Sequence, residues 1–190
     1  MSCPRRTVVG MAQGYAVFDT AIGLCGVAWG ERGITGVLLP ERDERATRGR
    51  LRRLFPQARE MEPPAGVRSA IDGMVALLRG ERRDLADVVL DMDGVPEFHR
   101  RVYAITRTIP PGGTLCYGEI ADRLAAPGSA RAVGQALGRN PFPIVVPCHR
   151  VLASGGKVGG FSATGGVWTK RHMLQIEGAR WEEPTLFDVG

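Results

Sequence analysis

No apolar stretch in this 190-residue chain approaches the ~18 residues needed to cross a bilayer, so no membrane helix is expected. Lysine is nearly missing: Lys157 and Lys170 stand among 25 basic residues, and the rest are arginine. Arginine forks onto phosphate and stacks on bases better than lysine does. With a net charge of +5, the composition permits a polyanionic partner such as nucleic acid without requiring one. Cysteine is scarce as well. Cys3, Cys25, Cys116 and Cys148 form no CxxC pair and no regular framework, which argues against a zinc knuckle and a disulfide scaffold. Histidines are few and none has a partner at metal-ligand spacing, so neither metal nor cofactor is expected. "MSCPRRTVVG" has no apolar segment after its basic residues, so no secretory leader is expected, and a reducing cytoplasm is the expected setting. No internal repeat or low-complexity tract is present.

What is there begins with β-rich runs at Tyr15–Phe18, Leu24–Trp29 and Ile34–Leu39, separated by Gly and Asp turn signals. They predict an antiparallel meander. "ERDERATRGRLRRLF" is helical in composition and stops at Pro56. A second helix follows, with Val67, Ile71, Met74, Val75 and Leu78 at helical spacing and Gly80 as its stop. "DVVLDM" reads as a further strand. Nothing in this half gathers reactive side chains, and it is read as scaffold.

The character changes near residue 94. "PEFHRRVYAITRTI" places Phe98, Val102, Ile105 and Ile109 on one helical face, ending at a Pro-Pro-Gly-Gly breaker. "YGEIADRLAAPGSARAVGQALGRNP" then reads as two helices joined by a turn at Pro127-Gly128, with Ser129 as candidate cap of the second. Ile120, Leu124, Val133, Ala136 and Leu137 face inward. Pattern alone makes this an ordinary helical hairpin. Its outward side, however, offers Ala130, Arg131, Gly134, Gln135 and Gly138: almost no bulk and one long cation. A helix that smooth suits backbone approach to a narrow groove better than side-chain readout of a wide one.

"NPFPIVVPCHRV", residues 140–151, carries the chemistry. Ile144-Val145-Val146 reads as a short buried strand, and Pro147 prevents it from continuing regularly through Cys148. A thiol is thus held at the end of a rigid element, with His149 and Arg150 beside it to favour thiolate. Cys3, Cys25 and Cys116 are read as small buried hydrophobes, and His99 and His172 as helix-surface residues. Six glycines between Ser154 and Gly166 follow. They lack the spacing of a phosphate loop and suit close backbone approach to a flat ligand. A last helix directs Met173, Leu174 and Ile176 inward. Glu177, near its Gly178 stop, is either the carboxylate that orients His149 in a Cys–His–Glu relay or a surface residue.

"PCHRV", preceded by "ARAVGQALGRNPFPIVV" and followed by "GGFS…K…IEG", resembles the O6-alkylguanine-DNA alkyltransferase family, continuously from Phe98 to Glu177. The resemblance implies an α/β (α+β) chain: a ribonuclease-H-like scaffold over residues 1–94, then a mostly helical, winged-helix-like catalytic domain with a helix-turn-helix over 95–190. It implies a stoichiometric methylated-DNA–[protein]-cysteine S-methyltransferase acting as a cytoplasmic monomer on double-stranded DNA that contains O6-alkylguanine and, as a further substrate, O4-alkylthymine. By the same resemblance, Cys148 accepts the alkyl group, and His149 draws off its proton through a bound water, with Glu177 behind. Asn140 braces the active-site segment. Tyr117 lies at the DNA phosphate and base pocket and helps to protonate the departing guanine. Arg131 enters the duplex, alongside Ala130, Ala132, Gly134 and Gln135 at the DNA. Pro143, Val146, Val151, Phe161 and Ser162 form the substrate pocket, with carbonyls near Val146 and Val151 reading the guanine edge. Phe161 and Tyr103 depart from the family's usual tyrosine and tryptophan, and no zinc ligand set is apparent.

Two other readings stand beside it. A noncatalytic, alkyltransferase-like protein that flips and marks lesions would lack the nucleophilic cysteine, which is present here as Cys148. A cysteine hydrolase would need an oxyanion motif or a nucleophile elbow, and neither appears.

Overall fold

The computed structural model describes residues 11–182. Cys3 lies outside them. Among the described residues the chain is mixed α/β, with a small sheet and six α-helices.

The expected meander is present: β1 (Gly14–Thr20), β2 (Gly23–Gly30) and β3 (Gly33–Leu38) pair antiparallel in sequence. A two-residue β4 (Arg59–Glu60) adds parallel to β1, giving the order β3-β2-β1-β4. Alternation along β2 decides what packs on each face. Cys25, Val27 and Trp29 point into the main core, where Val67, Ala70, Met74 and Leu77 of α2 (Ala65–Leu77) lie. Ala28 faces the other way, toward Leu51 and Phe55 on and just after α1 (Glu44–Leu54). That side holds glycine where α1 comes closest: a Cβ on Gly26 would lie 2.7 Å from a Leu51 methyl, and one on Gly36 would lie 2.6 Å from the Phe55 ring. Asp43 caps α1, accepting the Ala46 N–H at 2.7 Å. In α2 the buried stripe is rotated slightly from expectation, leaving Ile71 and Val75 half-buried.

"DVVLDM" does not form a strand. Only Leu90 bridges to Ile34, through Ile34 N–H to Val89 O (3.0 Å) and Asp91 N–H to Ile34 O (2.8 Å). Farther along β3, Val37 N–H is taken by the carbonyl of Pro141 at 2.8 Å, so that edge is already occupied. Arg107 ties the connecting segment down through the carbonyls of Leu85, Ala86 and Val88 at 2.6–3.0 Å.

In the second half, α3 (Glu97–Arg107) buries Val102, Tyr103 and Thr106, while Phe98 and Ile105 are half-buried. Tyr103 Oη donates to Ala136 O at 2.9 Å, anchoring α5 (Ala130–Gly138), and Arg101 caps the end of α4 (Tyr117–Arg123) at Leu124 O, 2.8 Å. Ser129 does not cap α5. Its hydroxyl donates back to Ala126 O at 2.6 Å, because its φ/ψ of −86/16 lies outside the extended region a cap adopts. Beside α4, β5 (Leu115–Cys116) and β6 (Val151–Leu152) form a two-stranded parallel ladder, and α6 (Gly166–Ile176) is the last helix among the described residues. The main core runs unbroken from Phe18 to Met173.

These close approaches yield a paired expectation for thermal unfolding. Gly26→Val drives a side chain into Leu51 and should cost about 1–3 kcal/mol. Gly49→Ala, exposed in α1 with open space at its Cβ, should stabilise by about 0.5–1 kcal/mol.

Candidate active site

Ile144–Val146 is buried as the sequence suggested, but it is not a strand. Prolines 141, 143 and 147 remove the donors a ladder needs, and the chain curls into consecutive tight turns. Val146 N–H reaches Phe142 O at 2.8 Å, Cys148 N–H reaches Val146 O at 2.8 Å, and Arg150 N–H reaches Pro147 O at 2.9 Å. Ile144 takes φ +75°, rare for a β-branched residue. Buried Asn140 staples this curl: its amide donates to Val146 O, and its carbonyl oxygen accepts the Phe142 N–H, both at 2.9 Å. Cys148 therefore opens a 3-10 turn, Cys148–Arg150, that runs directly into β6.

Glu177 is no surface residue. As C-cap of α6 its side chain is 1% exposed, and it receives His149 Nε2 at 2.9 Å and Arg150 through Nε and a terminal nitrogen at 2.8 and 2.9 Å. Arg150 also donates to Ile109 O at 2.5 Å. Its guanidinium thus ties Glu177 to the segment just past α3. Burial pushes the Glu177 carboxyl up, yet the hydrogen bonds from His149 and Arg150 outweigh it and hold the group down at about 2. Burial likewise holds His149 below the ordinary imidazole range against the pull of Glu177. A neutral ring donating Nε2–H to an ionised carboxylate satisfies both directions. That tautomer leaves Nδ1, buried and with no protein hydrogen-bond partner among the described residues, as an acceptor.

Cys148 lines a cavity of about 380 Å³ with Tyr117, Gly134, Leu137, Gly138, Gly160, Phe161 and Ser162. Tyr117 and Gly134 also line the adjoining open groove of about 880 Å³, along with Ala130, Arg131 and Gln135. The thiol thus faces the smooth surface of α5, from which Arg131 projects into solvent. Burial and the nearby Cys148 raise the Tyr117 phenol, keeping it protonated. Ala132 is half-buried and lines neither space, and Pro143, Val146 and Val151 are buried outside the cavity. Val146 O already accepts from Asn140 and Cys148, and Val151 O accepts from Lys170 Nζ at 2.6 Å.

Lys170, the lysine of the quoted "GGFS…K…IEG" pattern, carries a role that sequence reasoning did not assign to it. It is fully buried, 5.9 Å from the centre of the Tyr117 ring, and burial pulls its ammonium down to about 8 against the attraction of Cys148. The signal available was its rarity: one of two lysines, inside a helix with buried neighbours on both sides of its turn. Of the other thiols, Cys25 is fully buried and pushed up to about 12 by that burial, hence inert. Cys116 is not the buried hydrophobe expected. It is half-buried, caps α4 with Glu119 and donates to Ala153 O at 3.2 Å. His172 is half-buried against exposed Trp168, ring centres 5.2 Å apart, and His99 is also half-buried. Among the described residues no group of His, Cys, Asp and Glu is placed to hold a metal, and no helix is long and apolar enough to cross a membrane.

Comparison with known proteins places this geometry. Residues 97–179 match the family model described as "6-O-methylguanine DNA methyltransferase, DNA binding domain". The methylated-DNA–protein-cysteine methyltransferase of Methanothermobacter thermautotrophicus is 38% identical, over 83% of this chain and 81% of its own. The crystal structure of the Mycobacterium tuberculosis O6-methylguanine methyltransferase superposes with TM-score 0.70 at 37% identity, covering 92% of this chain and 99% of that one. The mycobacterial protein in complex with DNA superposes at 0.68 and 35% identity, covering 87% and 92%. With likeness of this extent over both halves, the chain belongs to the methylated-DNA–protein-cysteine methyltransferase family.

Proposed function

We propose that this protein repairs alkylated DNA by direct reversal, moving the alkyl group of O6-alkylguanine onto Cys148 once per chain. The observation that carries the reading is the position of the Cys148 thiol: in a cavity shared with Tyr117 and α5, beside a buried His149–Glu177 pair. A cavity of about 380 Å³ suits a single flipped base. The retained thiol there argues against a noncatalytic lesion marker.

The roles follow from the atoms present. His149 Nδ1 accepts the Cys148 proton, directly or through one water, and Glu177 stabilises the imidazolium that results. The buried ammonium of Lys170 favours thiolate. Thiolate sulfur attacks the alkyl carbon, a C–S bond forms as the C–O6 bond breaks, and the departing guanine takes a proton from Tyr117. The product thioether has no easy return, so the protein is consumed.

O6 lies inside the base stack, so the nucleotide must be extruded, and a poorly paired alkylated base costs least to flip. The small residues of α5 admit close approach to the minor groove, with exposed Arg131 filling the space the base leaves. The DNA complex of the mycobacterial relative supports duplex DNA as partner. O4-alkylthymine is a second substrate of the same chemistry. We read residues 1–94 as a ribonuclease-H-like scaffold, which the flanked antiparallel meander supports, and 95–190 as a winged-helix-like catalytic domain acting as a cytoplasmic monomer.

Incubation with duplex bearing radiolabelled O6-methylguanine should place one label on each chain, and Cys148→Ser should lower transfer by about 10³-fold or more. Several turnovers per chain would contradict the dead-end thioether. Arg131→Ala should slow repair of duplex about 30-fold or more, the scale of about 2 kcal/mol of lost help in flipping, while sparing reaction with free O6-benzylguanine. Glu177 contributes stability above its unfolded value near 4.5, which is lost as pH falls through that value toward about 2. The neutral, buried His149 adds a loss in the same direction below 6.5, because only the unfolded chain takes up the proton there. Glu177→Gln should therefore lower Tm at neutral pH and flatten its decline between pH 4.5 and 2, read by thermal unfolding.

A further inference from the structure

The outer wall of the thiol cavity, Gly160–Ser162, belongs to a stretch without helix or strand that runs into α6. Glycines with positive φ bracket it, Gly159 at 67° and Gly165 at 83°. Just past Ser162 this stretch is fastened to the sheet half of the molecule: Thr164 Oγ1 donates to Glu41 Oε2 at 2.5 Å, across 123 residues of sequence. Glu41 is itself held firmly where β3 turns into α1. Its other carboxylate oxygen takes Arg50 from α1, the two side chains being 16% and 19% exposed, and its N–H donates to Thr47 Oγ1 at 3.2 Å. On the loop side, Thr169 Oγ1 donates to Thr164 O at 2.8 Å, so this point is tied to α6 as well.

We propose that Glu41, braced by Arg50, is a positioning residue that holds Thr164 and so sets the width of the thiol cavity, making the amino-terminal half a selector of alkyl-group size. The inference rests on the alkyl-transfer reading above. A methyl group is delivered to sulfur best by a narrow, closed wall, because in-line displacement needs the carbon held close to the thiolate. A benzyl group needs the wall moved outward. Glycine on either side permits that movement, and the hydrogen bond to Glu41 opposes it.

The test uses single-turnover rates on one duplex sequence carrying either O6-methylguanine or O6-benzylguanine, so that DNA binding cancels. Thr164→Val and Glu41→Ala should each raise the benzyl-to-methyl rate ratio by roughly fivefold, the scale of one such hydrogen bond. The double variant should go no further, as coupled residues do, and Thr164→Ser should keep the wild-type ratio. A ratio that stays within about twofold in both single variants, below the effect of a lost hydrogen bond, would overturn the proposal, as would a parallel fall in both rates. Should Glu41→Ala fail to fold, Thr164→Val at an exposed loop position carries the test alone. A wild-type chain that takes up neither group would refute the transfer reading itself.

Discussion

One buried carboxylate organises the site. Glu177 closes α6, and its two oxygens receive one nitrogen of His149 and two of Arg150, with distances of 2.8–2.9 Å. A carboxylate 1% exposed would be costly alone. Gripped this way it is satisfied, and it joins three parts of the chain: α6, the turn that carries the thiol, and, through Arg150 and Ile109 O, the segment just past α3. It also decides the chemistry of His149. Because Nε2 faces the carboxylate, the acceptor must be Nδ1, and burial keeps the ring neutral at physiological pH.

Around that knot, the segment bearing Cys148 is made stiff by an unusual means. With prolines at 141, 143 and 147, it forms no strand of its own, and it takes its rigidity from successive turns, from Asn140 bonded at both ends of the curl and from Pro141 O on the edge of β3. Lys170 adds a charge from α6. Tied to Val151 O and buried, its ammonium sits near both the Tyr117 ring and Cys148, an electrostatic arrangement worth more in a dry interior than in water. The small residues of α5 then leave the cavity open toward the groove that Arg131 borders.

Some of this was legible in advance. The meander, both helices of the amino-terminal half, the helix pair and the solitary thiol with its neighbouring base follow from periodicity and breaker residues. The residue pattern alone leaves Glu177 between two roles, since a carboxylate near a helix end reads the same whether it faces water or a buried imidazole, and only the family resemblance points to the relay. Val89–Asp91 carried a strand's composition but found β3's edge shared with Pro141, and Ile144–Val146 carried a buried strand's apolarity but not its hydrogen bonds. An apolar run signals burial and says nothing about the ladder. Lys170 stands in the quoted family pattern, but its role is not legible there because its partners, Val151 O and Tyr117, are distant in sequence.

The sequence by itself determined local conformation and chemical capacity: where helices start and stop, which face is smooth, which thiol stands beside a base. Those properties depend on neighbours within a turn or two, and residue type suffices to set them. Only the tertiary structure decided which charges meet. Arg150 reached Glu177, Lys170 came to the thiol's side, and Glu41 reached Thr164. Such pairings depend on distances of a few ångströms between segments far apart along the chain, and those distances are fixed only when the core packs.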